Sequence, residues 1–181
     1  MSRINVVKSE TANTDQKALL EAIKSQMGMV PNFLAIMAHS PDALKAFLGL
    51  HEIAGSGALD AQTRERIALA VAEGNACEYC VSAHTAIGRK AGLTGDEMDA
   101  NRAGTSQDAR AAAAVAFAQA LNSNLGDVTQ SEFDTVRSAG YSDAEIVEII
   151  THVGMNILTN LIGKASQVDI DFPKVTLREA A

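Results

Sequence analysis

Cys77 and Cys80 are the only cysteines among the 181 residues of the chain. They stand two residues apart in the run Glu73–Gly92, EGNACEYCVSAHTAIGRKAG, and His84 follows Cys80 by four residues. On a helix, residues four apart share a face, so the imidazole of His84 can lie beside the Cys80 sulfur. Cys77, three residues before Cys80, is near enough to bridge to it. A thiol in the first turn of a helix feels the positive end of the macrodipole, which favours the thiolate. These residues therefore predict dithiol redox chemistry beside a proton acceptor. A thiolate that attacks a peroxide is left as a sulfenic acid, and a second thiol condenses with it to a disulfide. On this reading Cys80 is the attacking sulfur and Cys77 the resolving one. Cys77, nearer the helix start, is then the sulfur expected to meet an outside reductant. An imidazole base needs an orienting group, often a carboxylate. Glu65 and Glu73 are the upstream candidates, Glu73 at a helix end where solvation is expected and Glu65 between Arg64 and Arg66.

The same residues have plainer uses. Two cysteines at this spacing can be buried thiols, or can join His84 and a carboxylate around a zinc ion. A second, separate pair of ligands, which structural zinc sites usually have, is not visible in the sequence. The alternatives to a thiol enzyme are thus a non-catalytic or zinc-binding helical oligomer, or a lyase on the same scaffold.

These groups must be held by helices. Ala83, Ala86, Ile87 and Ala91 give the motif segment a helical pattern, and Gly92 is placed to end it. Upstream, helices are predicted at Asp15–Met27, with Ala18, Leu19, Ala22 and Ile23 on one face, and at Asn32–His39, with Pro31 as its first residue. Ser40-Pro41-Asp42 opens another that carries Leu44, Phe47, Leu48 and His51 on a stripe. Asp60 can cap a helix over Ala61–Glu73 with Ile67, Leu69, Ala70 and Val71 inward. Downstream, Thr94–Glu97, Thr129–Glu132 and Ser142–Glu145 read as capping boxes. Ala109–Leu121 is a helix of high propensity. The last helix, Asp143 to about Ala165, is long and apolar on a broad face of Ile146, Ile149, Ile150, Val153, Ile157 and Leu161. Residues 1–13 read as an irregular arm and 168–173 as an extended tail with Phe172 an anchor. No strand pattern persists. The expected fold is all-α, about eight helices in one domain spanning residues 1–181.

Composition narrows the function. Apolar residues make up 47% of the chain but aromatics only 4%, with no Trp, so the core must be built of Ala, Leu, Ile and Val, which suits closely packed helices. A net charge of −7 and the lack of a Lys/Arg block argue against nucleic acid as a partner. The opening MSRINVVKSETANTDQ lacks the apolar core of a signal peptide. No run, Ala111–Leu121 included, approaches the roughly 20 apolar residues of a membrane span. A soluble, reducing, cytoplasmic setting with no membrane partner is the expectation, and two cysteines there fit redox or metal chemistry better than a staple.

At these residues the chain resembles a known family. Arg64-Glu65-Arg66-Ile67-Ala68-Leu69-Ala70-Val71 followed by Asn75-Ala76-Cys77-Glu78-Tyr79-Cys80-Val81-Ser82-Ala83-His84-Thr85 is similar to the alkylhydroperoxidase D-like, carboxymuconolactone decarboxylase superfamily. Met29–Phe33, Asn156–Asn160 and Asp169–Pro173 resemble its peroxidase-related branch. The resemblance implies an all-α fold, homo-oligomers that are commonly trimers or hexamers, and thiol peroxidase activity. It implies that Glu65 and His84 form a proton relay, with Cys80 peroxidatic and Cys77 resolving. The partners implied are a hydroperoxide and an external dithiol or redox adaptor protein, and no bound cofactor is needed. The best-studied peroxidase members carry a His directly before the second Cys where this chain has Tyr79, which removes one relay group. The decarboxylase branch acts without a CxxC pair.

The remaining candidates have simpler expectations. His51 and His152 lie on apolar helices and read as hydrogen-bonded interior or interface histidines. His39 belongs to a helix end. Met27, Met29 and Met37 read as gap-fillers, and Tyr79 as pocket wall with a partnered hydroxyl. Asn156 and Asn160 are expected either to bond across a subunit contact or to be satisfied within the chain.

Overall fold

A computed structural model describes residues 2–179. Nine α-helices form among the described residues: α1 Thr14–Met27, α2 Asn32–Met37, α3 Pro41–Gly55, α4 Ala61–Gly74, α5 Glu78–Lys90, α6 Gly95–Arg102, α7 Ala109–Ser123, α8 Gln130–Ser138 and α9 Asp143–Ser166. Their starts follow the capping residues. Ser40, Asp60, Asp108, Thr129 and Ser142 each accept a hydrogen bond from the backbone N–H three residues on. Two of the three expected capping boxes close, at Thr129–Glu132 and Ser142–Glu145. The third closes only halfway. Thr94 accepts from the N–H of Glu97, but the Glu97 carboxylate turns inward to Arg66, Asn101, Ser106 and the N–H of Gln107. An unforeseen box forms instead at Asn13–Gln16.

Helix α4 is the hub, packing against α5, α6, α7 and α9. Its Ile67, Leu69, Ala70 and Val71 are wholly buried, as their spacing predicts. One apolar cluster gathers α1, α2, α3 and the two cysteines, and a second gathers α4, α7, α8 and the first half of α9. Departures from the expected faces are local. In α1 the buried pair is Leu20 and Ile23, while Ala18 and Ala22 are exposed. In α9, Ile146, Ile149 and Val153 are buried, but Ile150 and Leu161 face outward because this helix is apolar on two sides. By length and composition α9 is also apolar enough to cross a membrane, which the sequence reading overlooked. Here it packs against α3, α4, α5, α7 and α8 and buries His152, Asn156 and Asn160.

Both ends of the described residues are tied down. In the arm, Val7 N–H donates to the Ala35 carbonyl and His39 Nε2 lies 2.8 Å from the Asn5 carbonyl. Pro31 is the residue before α2 rather than its first residue, and supplies no side-chain cap. The free N–H groups of α2 are met from elsewhere: Asn32 donates to Asp171 Oδ2 at 2.7 Å and Phe33 to the Tyr79 hydroxyl at 3.2 Å. The tail thus acts as a cap for a helix about 140 residues upstream. It continues along α5, where Val175 N–H donates to Ser82 Oγ and Lys174 reaches Glu78.

Candidate active site around the Cys77–Cys80 disulfide

Two residues, Asn75 and Ala76, separate the end of α4 from Cys77, the N-cap of α5. Ala76 has φ 50°, a left-handed conformation that costs a non-glycine residue about 1–2 kcal/mol. The surroundings hold it there. Asn75 Nδ2 donates to the side chains of Asn122 and Asn160, and Lys164 Nζ donates to the Asn75 carbonyl. Cys77 N–H donates back to Ala72. Asn160 Oδ1 therefore accepts within its own chain while its buried Nδ2 has no partner, and Asn156 donates to the His152 carbonyl. The effect is to fix Cys77 at the mouth of α5, where its sulfur accepts from the N–H of Cys80.

The two sulfurs are joined in a disulfide with Cα atoms 5.2 Å apart. Cys77 is 1% exposed and Cys80 4%. Gly163 of α9 lies over the pair: a Cβ there would stand 3.3 Å from the Cys77 sulfur and 3.6 Å from that of Cys80. Only Cys80 lines the large cavity of the molecule, of about 640 Å³. The expectation that Cys77 would be the sulfur open to a reductant is thus reversed. Its place at the helix start turns it toward α9, while Cys80, three residues on, faces the cavity.

His84 lies one turn after Cys80 and also lines the cavity. Its Nδ1 is 2.8 Å from Glu65 Oε2, with both side chains largely buried. An ionised carboxylate only accepts, so this contact puts the hydrogen on Nδ1 and leaves Nε2 as the basic nitrogen. Glu65 is available because neither flanking arginine takes it. Arg64 donates to the Leu59 carbonyl and Arg66 to Glu97. Glu73, the other candidate, is neither solvated nor near His84. It is held at 2.6 Å by Arg102 and at 2.6 Å by the N–H of Arg178. Cys80, His84 and Glu65 therefore share one wall, and Cys77 stands behind it.

Tyr79 forms part of the same cavity wall with its hydroxyl doubly engaged, accepting from Phe33 N–H and donating to Asp171 Oδ1 at 3.0 Å. Burial pushes that hydroxyl well above its ordinary pKa, the Phe33 N–H opposing and Asp171 reinforcing the shift. It stays neutral and ties the tail to the site without serving as a proton relay. Phe172 of the tail packs edge-on against the Tyr79 ring and lines the cavity too.

His51 and His152 both line the cavity, with Arg64 and Asn156. His152 is 3% exposed and its Nε2 has no hydrogen-bond partner. His51 touches solvent within the concavity while protein surrounds it on several sides. Desolvation lowers the pKa of both imidazoles. For His51, Glu65 opposes that shift, while His84 and Arg64 add to it. For His152, the Ala54 backbone and Glu148 oppose it, while Arg64 and His51 add to it. The available signal was weak: each His sits on the apolar stripe of its helix, a position that a core histidine occupies equally well. Among the described residues, no group of three or more His, Cys, Asp or Glu side chains is placed to hold a metal ion.

Comparison with known proteins agrees with this architecture. Residues 41–122, from α3 to near the end of α7, match the carboxymuconolactone decarboxylase family. None of the curated proteins compared matches the sequence significantly. Among solved structures, the chain is similar to an uncharacterized peroxidase-related protein with an alkylhydroperoxidase AhpD core from Ralstonia eutropha JMP134. The two are 25% identical over 94% of this chain and 92% of that one, with a TM-score of 0.84. A peroxidase-related protein from Silicibacter sp. TM1040 is 24% identical over 91% of each chain, with a TM-score of 0.80. The debrominase Bmp8, solved with 2,3,4-tribromopyrrole, shares the fold at 20% identity over 94% of this chain and 92% of its own, with a TM-score of 0.80. Residues 41–122 thus match the carboxymuconolactone decarboxylase family, and the chain as a whole is similar in fold to peroxidase-related proteins with an alkylhydroperoxidase AhpD core.

Proposed function

We propose that the protein is a thiol-dependent peroxidase that reduces organic hydroperoxides through the Cys77–Cys80 pair. The observation that carries this reading is the line Glu65, His84, Cys80 along one cavity wall, with Cys77 bonded behind it. In the reduced protein His84 Nε2 takes the proton of Cys80, and Glu65 steadies the imidazolium. The Cys80 thiolate attacks the terminal peroxide oxygen; the O–O bond breaks, and the alkoxide leaves as the alcohol with a proton from the imidazolium. Cys77 then attacks the Cys80 sulfenic acid, forming the disulfide and releasing water. An external dithiol, free or carried by a redox adaptor protein, returns two electrons by attacking the Cys80 sulfur from the cavity. The residues require no bound cofactor for these steps. A solution test follows. One equivalent of cumene hydroperoxide should remove two titratable thiols per reduced chain and yield one equivalent of alcohol. Retention of both thiols would overturn the reading. That a debrominase has this fold makes peroxide one oxidant among those worth comparing.

We further infer a soluble, cytoplasmic homo-oligomer, a trimer or hexamer, built from one helical domain. Support comes from an unpartnered apolar face: Val147, Ile150, Leu158 and Leu161 on α9 are 61%, 43%, 41% and 63% exposed, and Ile53 on α3 is 74% exposed. So much aliphatic surface on one side favours contact with a second copy. Light scattering should return a multiple of the 19.0 kDa chain mass. A monomer at micromolar concentration would remove this inference.

A further inference from the structure

The chain carries a net charge of −7, yet the charged groups lining its cavity run the other way. Arg64 and Lys90 line it, and Glu65, the one carboxylate, is already engaged with His84. Among the described residues Arg64 donates to a neutral carbonyl and forms no ion pair. His51 and His152 stand near it, and His152 Nε2 is buried and unpartnered on the cavity wall. A buried polar atom left without a partner costs free energy of order 1–3 kcal/mol, which a ligand atom can recover. The lining also includes Phe33, Phe47 and Met155, an apolar surface for a carbon skeleton. A volume of about 640 Å³ suits a small organic molecule rather than hydrogen peroxide alone.

We propose that the α3–α4–α9 end of the cavity, formed by Arg64, His51 and His152, binds the carboxylate of an apolar organic acid. In the enzyme proposed above, the substrate would then be a hydroperoxide carrying a carboxylate, held by its acid group while its apolar body runs toward Cys80. The inference uses the same cavity but none of its redox chemistry, so the two can fail separately. Anion binding should also draw protons. His51 faces Glu65, His84 and Arg64, and His152 faces Arg64, Glu148, His51 and the Ala54 backbone. In the free protein burial and the neighbouring cations hold both imidazoles toward the neutral form. A carboxylate arriving between them favours the charged form.

The test is calorimetric titration of the oxidised protein with octanoate and with octan-1-ol at pH 7, in two buffers of different ionisation enthalpy. Octanoate should bind at least about tenfold more tightly than the alcohol, with net proton uptake. R64Q should abolish the preference while leaving octanol binding unchanged. Should R64Q not fold, K90Q/H51Q carries the test, since both side chains are solvent-accessible and neither makes a hydrogen bond among the described residues. The preference should then fall at least about threefold. Equal affinity for acid and alcohol, no octanoate binding at 10 mM (about the weak limit of a specific site), or binding without proton uptake would each overturn the proposal.

Discussion

Cys80→Ser is expected to abolish hydroperoxide consumption, lowering kcat/KM at least about 10³-fold, because Cys80 is the one cysteine that lines the cavity. Cys77→Ser should behave differently. Cys80 stays in place beside His84, so the variant should consume one equivalent of hydroperoxide and stop as a stable sulfenic acid. A dimedone-type trap followed by mass spectrometry reads this directly. An adduct in Cys80→Ser and none in Cys77→Ser would invert the two roles. His84→Ala should keep the thiols and the disulfide but slow their oxidation by about 10²-fold, the usual worth of a positioned base. Glu65→Gln should fall between the two: an amide can still accept from Nδ1 but does not stabilise the imidazolium. The assignment rests on burial as much as on spacing. Gly163 and the α9 backbone press on Cys77, so a hydroperoxide of any size reaches only its neighbour.

Glu97→Ala should cost about 3–5 kcal/mol of stability, measured as a shift in the urea midpoint at pH 7. The carboxylate is 5% exposed and accepts from Arg66 Nε, Asn101 Nδ2, Ser106 Oγ and Gln107 N–H. Removing it leaves a buried guanidinium and several donors without acceptors. The same network sets a pH dependence. Burial alone would raise the Glu97 pKa, but the bonds from Ser106, Asn101, Gln107 and Arg66 outweigh it and lower the pKa from 4.5 to about 2. The unfolded chain therefore takes up this proton first as pH falls. The contribution is full above pH 4.5 and is lost progressively as pH falls toward 2. Urea midpoints for the parent protein should drop across that window, and those of Glu97→Gln should drop less. A Glu97→Ala midpoint within about 0.5 kcal/mol of the parent would show that the network is dispensable.

How much of this was legible in advance depended on range. Helix starts were legible at Ser40, Asp60, Thr129 and Ser142 because a cap is a contact between residues three apart. The Cys77–Cys80–His84 spacing was legible for the same reason. The half-closed cap at Thr94 shows the limit of such reading. Glu97 had the right offset for a reciprocal box, but Arg66 and Asn101 offered buried donors that a local rule does not count. The choice between Glu65 and Glu73 was of this kind too. Both are acids on α4 near the motif, and only the arrival of Arg102 and Arg178 from later in the chain takes Glu73 out of reach.

By itself the sequence determined an all-α chain, the helix that presents Cys80 and His84 on one face, and a sulfur pair close enough to bridge. Each of these follows from the 3.6-residue turn and from hydrogen bonds a few positions apart. Tertiary structure decided which cysteine faces the cavity, which carboxylate meets the imidazole, and that His51, His152 and Arg64 join its lining. Those outcomes depend on how α3, α4 and α9 cross, and crossing is set by side-chain volumes spread over more than 100 residues, such as the close approach that Gly163 permits.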